Sequence, residues 1–139
     1  MPKFPSTEWF DAASELLNKS DAAKRLGTCD TEMGVQVGDD YFLVPFDAFE
    51  AKPSSRIDAA TADDLDFTLV QTPEEWQAML KDIQQNGHAT HDFTINSLDL
   101  HTDTEFARGK DYTRRDLFYR FNQTLQEYFD MAAKFETTF

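Results

Sequence analysis

The sequence predicts an α+β fold in which a twisted, largely antiparallel sheet is covered by helices and the last helix is long. Two hydrophobic patterns predict it. Apolar residues alternate with a period of two between Cys29 and Val37, and they recur with helical spacing near both ends of the chain. The chain has 139 residues and is 40% hydrophobic, which is enough for one compact core. We therefore expect a single domain over residues 1–139.

The first two helices are predicted from their caps. Ser6 is a favourable N-cap, and the apolar residues that follow recur at helical spacing, so residues 7–18 are expected to be helical. Ser20 begins a second, short helix that runs to Leu26 and is ended by Gly27.

A hairpin and a third strand make up the predicted sheet. The alternating segment is the first strand, and residues 38–40 form the turn. Residues 41–50 are the second strand, whose first part is apolar on both faces, so we expect it to be covered on both sides. Pro45 cannot donate to a ladder and is expected at an edge or a bulge. A polar connection over residues 51–64 leads to a third strand over residues 66–70.

The clearest helix start follows the third strand. Thr72 as N-cap, Pro73 at the first helical position and Glu75 at N3 form a capping box, and Gly87 ends the helix. Because its apolar residues suit neither period, the next segment, residues 88–111, is expected to be buried and partly extended.

The last helix is expected to be one long rod. Thr113 is its predicted N-cap, and apolar residues recur at helical spacing as far as Phe135. At about 1.5 Å per residue, this helix would be roughly 35 Å long and would cross the whole domain.

Charge and cysteine content exclude several classes of function. The 26 acidic residues against 13 basic ones give a net charge of −13, which disfavours binding to nucleic acid or to an anionic membrane. No run of about 18 apolar residues is present, so no membrane insertion is expected. Cys29 is the only cysteine, which rules out a disulfide within the chain and fits a reducing cytoplasm.

The 13 phenylalanines suggest two facing apolar walls. Large apolar side chains fill a core, line a cavity or form an interface. In one interpretation they line a pocket for an apolar ligand; in the other they pack on one another or pair the last helix with a second copy of the chain. The candidate wall from the strands is Phe42, Val44, Phe46, Phe67 and Leu69; the candidate wall from the last helix is Phe118, Phe121, Leu125 and Phe129.

A basic segment stands out from the acidic chain. Residues 108–120 carry five basic residues against two acidic ones. Arg114 and Arg115 would lie in the first turn of the last helix, where the helix dipole disfavours cations, so an anionic partner is expected. That partner is either an anionic head group of a ligand or the protein's own acidic surface. The acidic residues suggested for the second alternative are Asp63, Asp64 and Asp66.

One cluster has the chemistry of metal ligands. His88 and His91 are three residues apart, so a helical backbone would place them on one face. The simpler interpretation is that these are surface histidines after a helix end, and no metal site is predicted. The other members of the cluster are Asp92, Asp99, His101 and Asp103.

No motif of a catalytic site is present. The sequence contains no Gly-x-Ser-x-Gly, no phosphate-binding loop and no dinucleotide fingerprint. The acidic pairs Asp63-Asp64 and Glu74-Glu75 are typical of solvated surface. We therefore expect a protein that is not an enzyme and has no cofactor.

The order of elements resembles the sterol carrier protein 2 family of small lipid-binding domains. The segment from Ala62 to Trp76, which reads ADDLDFTLVQTPEEW, is similar to that family's acidic residue, alternating strand and closely following helix, and GVQVGDD at residues 34–40 is similar to its hairpin. The family usually has a glycine-rich strand pair after the middle helix; residues 88–103 stand in its place here. The resemblance implies an apolar cavity between a curved sheet and helices, holding a sterol, fatty acid or acyl-CoA without catalysis.

The sequence thus favours non-catalytic binding or carriage of an apolar or amphipathic small molecule. The alternative is a protein-interaction module, a homodimer or an accessory subunit, whose aromatic faces form the interface. Arg114 and Arg115 are the candidates for an anionic head group in the first interpretation.

Overall fold

The fold is α+β, as the sequence predicts. The computed structural model describes residues 2–101 and 106–139. For His101 it describes the backbone but not the side chain. The helices are α1 (Thr7–Asn18), α2 (Asp21–Lys24), α3 (Ala59–Asp63), α4 (Pro73–Asn86), α5 (Ile95–His101), α6 (Tyr112–Arg115), α7 (Leu117–Arg120) and α8 (Asn122–Asp130), with 3-10 helices at His91–Phe93 and Met131–Lys134. The strands are β1 (Thr31–Val37), β2 (Asp40–Asp47), β3 (Glu50–Ala51), β4 (Ser55–Ile57), β5 (Phe67–Gln71) and β6 (Ala107–Arg108).

The strands form one mixed sheet in the order β3-β2-β1-β5-β6, with β4 also paired to β2. The pairing of β1 with β5 is parallel, because the chain crosses through α3 before it returns beside β1. The other four pairings are antiparallel, which confirms the largely antiparallel sheet.

Capping geometry explains where the two longest helices begin and end. At the start of α1, Ser6 Oγ accepts a hydrogen bond from the Trp9 N–H at 3.1 Å. At the start of α4, Thr72 Oγ1 accepts from the Glu75 N–H at 3.1 Å, and the Thr72 N–H donates to Glu75 Oε1 at 2.9 Å. Gly87 ends α4 in the left-handed conformation with φ 84°, which glycine adopts without a steric penalty.

Pro45 lies where the outer neighbour of β2 changes. The outer side of β2 pairs with β4 at residues 41–43 and with β3 at residues 46–47, so the ladder is interrupted between them. Pro45 accepts a hydrogen bond from the Lys52 N–H at 2.8 Å on that side. The nitrogen of Pro45, which carries no hydrogen, therefore lies where the ladder is interrupted and no hydrogen-bond donor is needed.

The main core lies between one face of the sheet and helices α1, α4 and α8. Phe10 of α1 packs on Phe42 with ring centroids 5.0 Å apart. Trp76 of α4 packs on Phe129 of α8 at 5.4 Å. All of these side chains are fully buried. The opposite face of the sheet is covered in part by α3, so β2 is partly covered on its second face.

Two connections hold more structure than the sequence predicts. Residues 51–64 were expected to be an irregular polar connection, but they contain β4 and α3; Asp58 begins α3 by accepting from the Thr61 N–H at 2.8 Å. Residues 88–111 were expected to be partly extended; in the described part the one strand is β6, and about half of the residues are helical. Segments of two to seven residues are too short to show a clear hydrophobic period, which is why these were missed.

The C-terminal helical region is not one rod. Asp111, not Thr113, begins it, because Asp111 Oδ1 accepts from the Thr113 N–H at 2.8 Å and the Arg114 N–H at 3.2 Å. The region is then divided at residue 116 and at Phe121, whose φ of −103° and ψ of 17° leave the helical range. The apolar period continues through both breaks, so it could not reveal them.

None of the described helices is long and apolar enough to cross a membrane.

Candidate ligand-binding site

The predicted sheet wall forms one continuous face. The strand register pairs Met33 of β1 with Val44 on one side and with Phe67 on the other, so alternate residues of the three strands share that face. All five side chains are buried, with at most 5% of any of them exposed. The residues of this wall are Phe42, Val44, Phe46, Phe67 and Leu69.

The predicted helix wall packs directly on the sheet wall. Phe118 contacts Phe67 with ring centroids 5.7 Å apart, and Phe46 contacts Tyr128 at 5.5 Å. Phe121 is half-buried, and the other members are fully buried. The structure therefore brings the two walls into one core, in direct contact at Phe67 and Phe118, while Phe46 contacts Tyr128, a neighbour of the helix wall. The residues of the helix wall are Phe118, Phe121, Leu125 and Phe129.

A narrow crevice lies beside Phe46 of the sheet wall. The crevice has a volume of about 10 Å³, room for a single water molecule at most. Phe46 lines it from the sheet, Leu17 from α1 and Thr124 from α8. Cys29, which precedes β1, lies at the crevice and is 3% exposed. The lining of the crevice is mostly apolar, as expected for a site that binds an apolar chain.

A surface groove adjoins the crevice at Thr124, which lines both. The groove has a volume of about 250 Å³ and runs along α7 and the start of α8. Its apolar side chains are Leu26, Tyr119 and Phe121. We call the crevice and this groove together the Thr124 site.

The rim of the Thr124 site exposes large apolar side chains. Phe49 at the crevice is 52% exposed, Tyr119 is 44% exposed and Leu26 is 40% exposed. Exposed apolar residues that gather at one opening are typical of a surface that binds an apolar partner.

Two groups in the groove are suited to an anion. Arg120 lies over the Phe121 ring at 5.4 Å, and it makes no ion pair with a carboxylate of the described residues. Asn122 Nδ2 is buried and finds no hydrogen-bond acceptor among the described atoms. A buried donor without an acceptor is unfavourable by about 1–3 kcal/mol, so a carboxylate that Nδ2 meets when the Asn122 side chain turns into the groove would relieve it.

The two arginines predicted to bind a head group have partners within the protein. Arg114 Nε donates to Asp66 Oδ1 at 2.7 Å, and Arg115 Nε donates to the Ala107 carbonyl at 2.6 Å. Arg115 also lies 3.7 Å from Asp99 Oδ1. Both arginines lie at the C-terminal end of α6, so the expected conflict with the helix dipole does not arise. Their role toward a ligand stays a prediction, and a ligand there would compete with these carboxylates.

The environment of Cys29 lowers the reactivity of its thiol. Burial, with a smaller contribution from the charge of Asp30, raises the pKa of Cys29 to about 12. The thiol is therefore protonated at neutral pH and is a poor nucleophile.

The histidine cluster is only partly within the described residues. His88 is exposed, and its Nδ1 lies 2.9 Å from the Ala89 carbonyl oxygen. His91 is also exposed, with φ 47°. The side chain of His101 and all of Asp103 lie outside the described residues. Within residues 2–101 and 106–139, no three His, Cys, Asp or Glu side chains come together in a metal-binding arrangement.

Comparisons with known proteins found no family model that matches this chain, and no curated protein or solved structure that does.

Sequence reasoning found Phe46 and Phe121 but missed the rest of the Thr124 site. Leu26 was interpreted as the end of a short helix, and Phe49 as the end of a strand. Their spacing carries no sign of a shared surface, because the two lie on different loops that meet only in the folded chain. Arg120 lies in the basic segment over residues 108–120, but Arg114 and Arg115 were the residues of that segment predicted to bind a head group.

Proposed function

We propose that this protein binds or carries an apolar or amphipathic small molecule without catalysis, and that the ligand binds at the Thr124 site. The observation that carries the proposal is the apolar crevice beside Phe46, which lies next to a surface groove and shares Thr124 with it. Sterols, fatty acids and acyl-CoA are the classes considered. The membership of the sterol carrier protein 2 family and a cytoplasmic location are parts of the same proposal, supported by the order of helices and strands and by the single cysteine.

The groove favours a ligand with an anionic head group. The carboxylate of a fatty acid would accept from Asn122 Nδ2 and pair with Arg120, while its tail enters the crevice. The crevice is too small for a tail as it stands, so the side chains that line it must move apart when the ligand binds. Each CH₂ group of the tail that leaves water contributes about 0.8 kcal/mol, which offsets this rearrangement.

The experiment compares oleic acid with oleyl alcohol, which has the same chain and no charge. Protein purified without detergent is titrated with each compound and the adducts are counted by native mass spectrometry. We expect one molecule of each to bind, with oleic acid favoured. Arg120→Gln should weaken oleic acid roughly tenfold and leave oleyl alcohol unchanged. Absence of a saturable adduct with either compound would overturn the proposal.

A matched pair of variants tests whether the ligand binds at the Thr124 site. Phe49→Asp puts a charge at the rim of the crevice and should weaken both compounds. Phe139→Asp makes the same change at another exposed phenylalanine, 38% exposed at the end of the chain, and should have no effect. If the two variants behave alike, the ligand binds elsewhere.

The exposed rim also favours a second candidate, a homodimer or accessory subunit that buries Leu26, Phe49 and Tyr119. Measurement of molecular mass in solution separates the two functions. A tight dimer that binds neither compound, and that Phe49→Asp converts to a monomer, supports the interaction module. A monomer that binds oleic acid supports the carrier.

A further inference from the structure

A second cavity lies on the face of the sheet opposite the main core. Its volume is about 130 Å³, and it is bounded by β1, β2, β5, α3 and the chain that follows β6. The register pairs Gln36 with Tyr41, and Thr68 with Arg108. Thr68 also pairs with Gly34, two residues from Gln36, so all four side chains project from the same face. Its lining combines polar and charged side chains with the alanines of α3.

The geometry of the chain holds two cations at this cavity. Arg108 and Lys110 both line it, on either side of Gly109. A Cβ at position 109 would lie 2.8 Å from the Asp66 carbonyl oxygen, so only glycine allows this close approach. Gly109 therefore fixes the path of the backbone between the two cations.

Neither cation makes an ion pair with a carboxylate of the described residues. Among the residues that the structure describes, the ion pairs include Arg56, Arg114 and Arg115 but neither Arg108 nor Lys110. Asp63 is the one carboxylate in the lining, so the lining carries a net positive charge in a chain of net charge −13. An anion is the ligand that this charge favours.

Gln36 contributes a buried acceptor that lacks a donor. Its Nε2 donates to the Gly38 carbonyl oxygen at 3.0 Å, which fixes the orientation of the amide. Its Oε1 is buried and receives no hydrogen bond from the described atoms. An anion alone would not satisfy Oε1, because an anion has no proton to donate. The complementary ligand therefore also carries a proton donor, and a hydroxyl group supplies one without changing the charge of the ligand.

We propose that this cavity binds a small 2-hydroxycarboxylate. The carboxylate pairs with Arg108 and Lys110, and the hydroxyl donates to Gln36 Oε1. A cavity of about 150 Å³ accommodates benzene, so a molecule of roughly six heavy atoms, such as lactate, fits the volume. This site is separated from the Thr124 site by the sheet, and the inference does not depend on the proposed carrier function.

The test compares lactate with propionate, which lacks the hydroxyl, and with 1,2-propanediol, which lacks the charge. Isotope-labelled protein is titrated with each compound and followed by NMR at the Gly109 amide and the Gln36 side-chain amide. We expect lactate to bind several-fold more tightly than propionate, and propanediol not to bind. If lactate and propionate bind equally, or if lactate shows no saturable binding because the cavity holds water only, the proposal is wrong.

Variants distinguish the two parts of the site. Arg108→Gln, on an exposed side chain, should weaken lactate and propionate alike by roughly tenfold. Gln36→Met should lower lactate affinity to that of propionate and leave propionate unchanged. Arg25→Gln makes the same charge change at an exposed arginine outside the cavity and should alter neither. Equal loss in Arg25→Gln and Arg108→Gln would show that only the overall charge matters, and would overturn the site.

Discussion

At the scale of single residues, Asp66 joins three separate parts of the chain. Its Oδ2 accepts from Thr31 Oγ1 and from the Glu32 N–H, both at 2.8 Å, and its Oδ1 accepts from Arg114. Burial alone raises the pKa of Asp66, but the hydrogen bonds from the Glu32 N–H, Arg114 and Thr31 outweigh it, and the pKa is lowered. Asp66 therefore binds β1 and α6 to the start of β5 as a carboxylate.

We expect Asp66→Asn to destabilise the protein by about 2 kcal/mol at neutral pH, because charged hydrogen bonds are lost. Since the pKa of Asp66 is lowered by folding, its carboxylate stabilises the fold above the ordinary carboxyl pKa, and this stabilisation is lost as the pH falls through the lowered pKa. Urea unfolding of the variant should show a smaller loss of stability between neutral and acid pH than the wild type. Asp39→Asn, at an exposed residue, should leave unchanged both the stability at neutral pH and its loss toward acid pH. If Asp39→Asn and Asp66→Asn are equally stable at each pH, Asp66 has no special role.

Cys29 allows a second prediction from a single group. Because burial raises the pKa of the thiol to about 12, the rate of iodoacetamide labelling should keep rising with pH past the ordinary thiol pKa of 9.0. In urea-unfolded protein the rate should level off near that ordinary value. A native profile that levels off at the same pH as the unfolded one would contradict the burial of Cys29.

These residues also show what the sequence could and could not predict. The capping box at Thr72 and Glu75 was predictable because its members are three residues apart. Asp66 was one of three acidic residues suggested as the partner of Arg114, and the structure confirms that pairing. Local spacing could not select it from Asp63 and Asp64, because it lies 48 positions from Arg114 and its neighbours carry the same charge. The pairing depends on where α6 meets the sheet, which local spacing does not encode.

At the scale of elements, the close approach of β1 and β5 depends on Gly34. The register places Gly34 opposite Thr68, and a Cβ at position 34 would clash with Thr68 Oγ1 and lie 3.1 Å from Leu65 Cδ1. The absence of a side chain thus allows Thr68 and the chain around α3 to pack on this face of the sheet. The alternating pattern predicted a strand here, but it could not show which residue lies opposite.

Gly34→Ala should therefore destabilise the protein by about 1–3 kcal/mol, because the added methyl overpacks the sheet. Thermal unfolding of Gly34→Ala, Thr68→Ala and the double variant measures the coupling. Removal of Thr68 Oγ1 should recover part of the loss. Additive losses in the double variant would mean that the clash with Thr68 is not the cause.

The C-terminal helices hold the sheet through Phe118 more than through Phe121. Phe118 is fully buried and contacts Phe67 and Phe106 at ring-centroid distances of 5.7 and 6.1 Å, whereas Phe121 is half-buried in the groove. We expect Phe118→Ala to lower the free energy of unfolding by about 3–5 kcal/mol and Phe121→Ala by less than half as much. Urea unfolding measures both, and equal losses would contradict this placement of α7.

At the scale of the whole molecule, the two faces of the sheet differ in chemistry. One face carries the aromatic core and ends at the Thr124 site, and the other carries a small cavity lined by two cations. The sequence predicted the fold class and the core walls because both follow from periodicity. The sequence could not predict the Thr124 site or the cavity on the opposite face, since each is formed by side chains from several elements that meet only after folding.

We propose that a lipid tail enters beside Phe46, and photo-crosslinking with a diazirine-bearing fatty acid is the sharpest test of this proposal. Mass spectrometry of the digested protein identifies the labelled peptides. We expect labelling around Leu26, Phe49 and Thr124, suppressed by excess oleic acid. Labelling scattered over other surfaces, or labelling that oleic acid does not suppress, would contradict it.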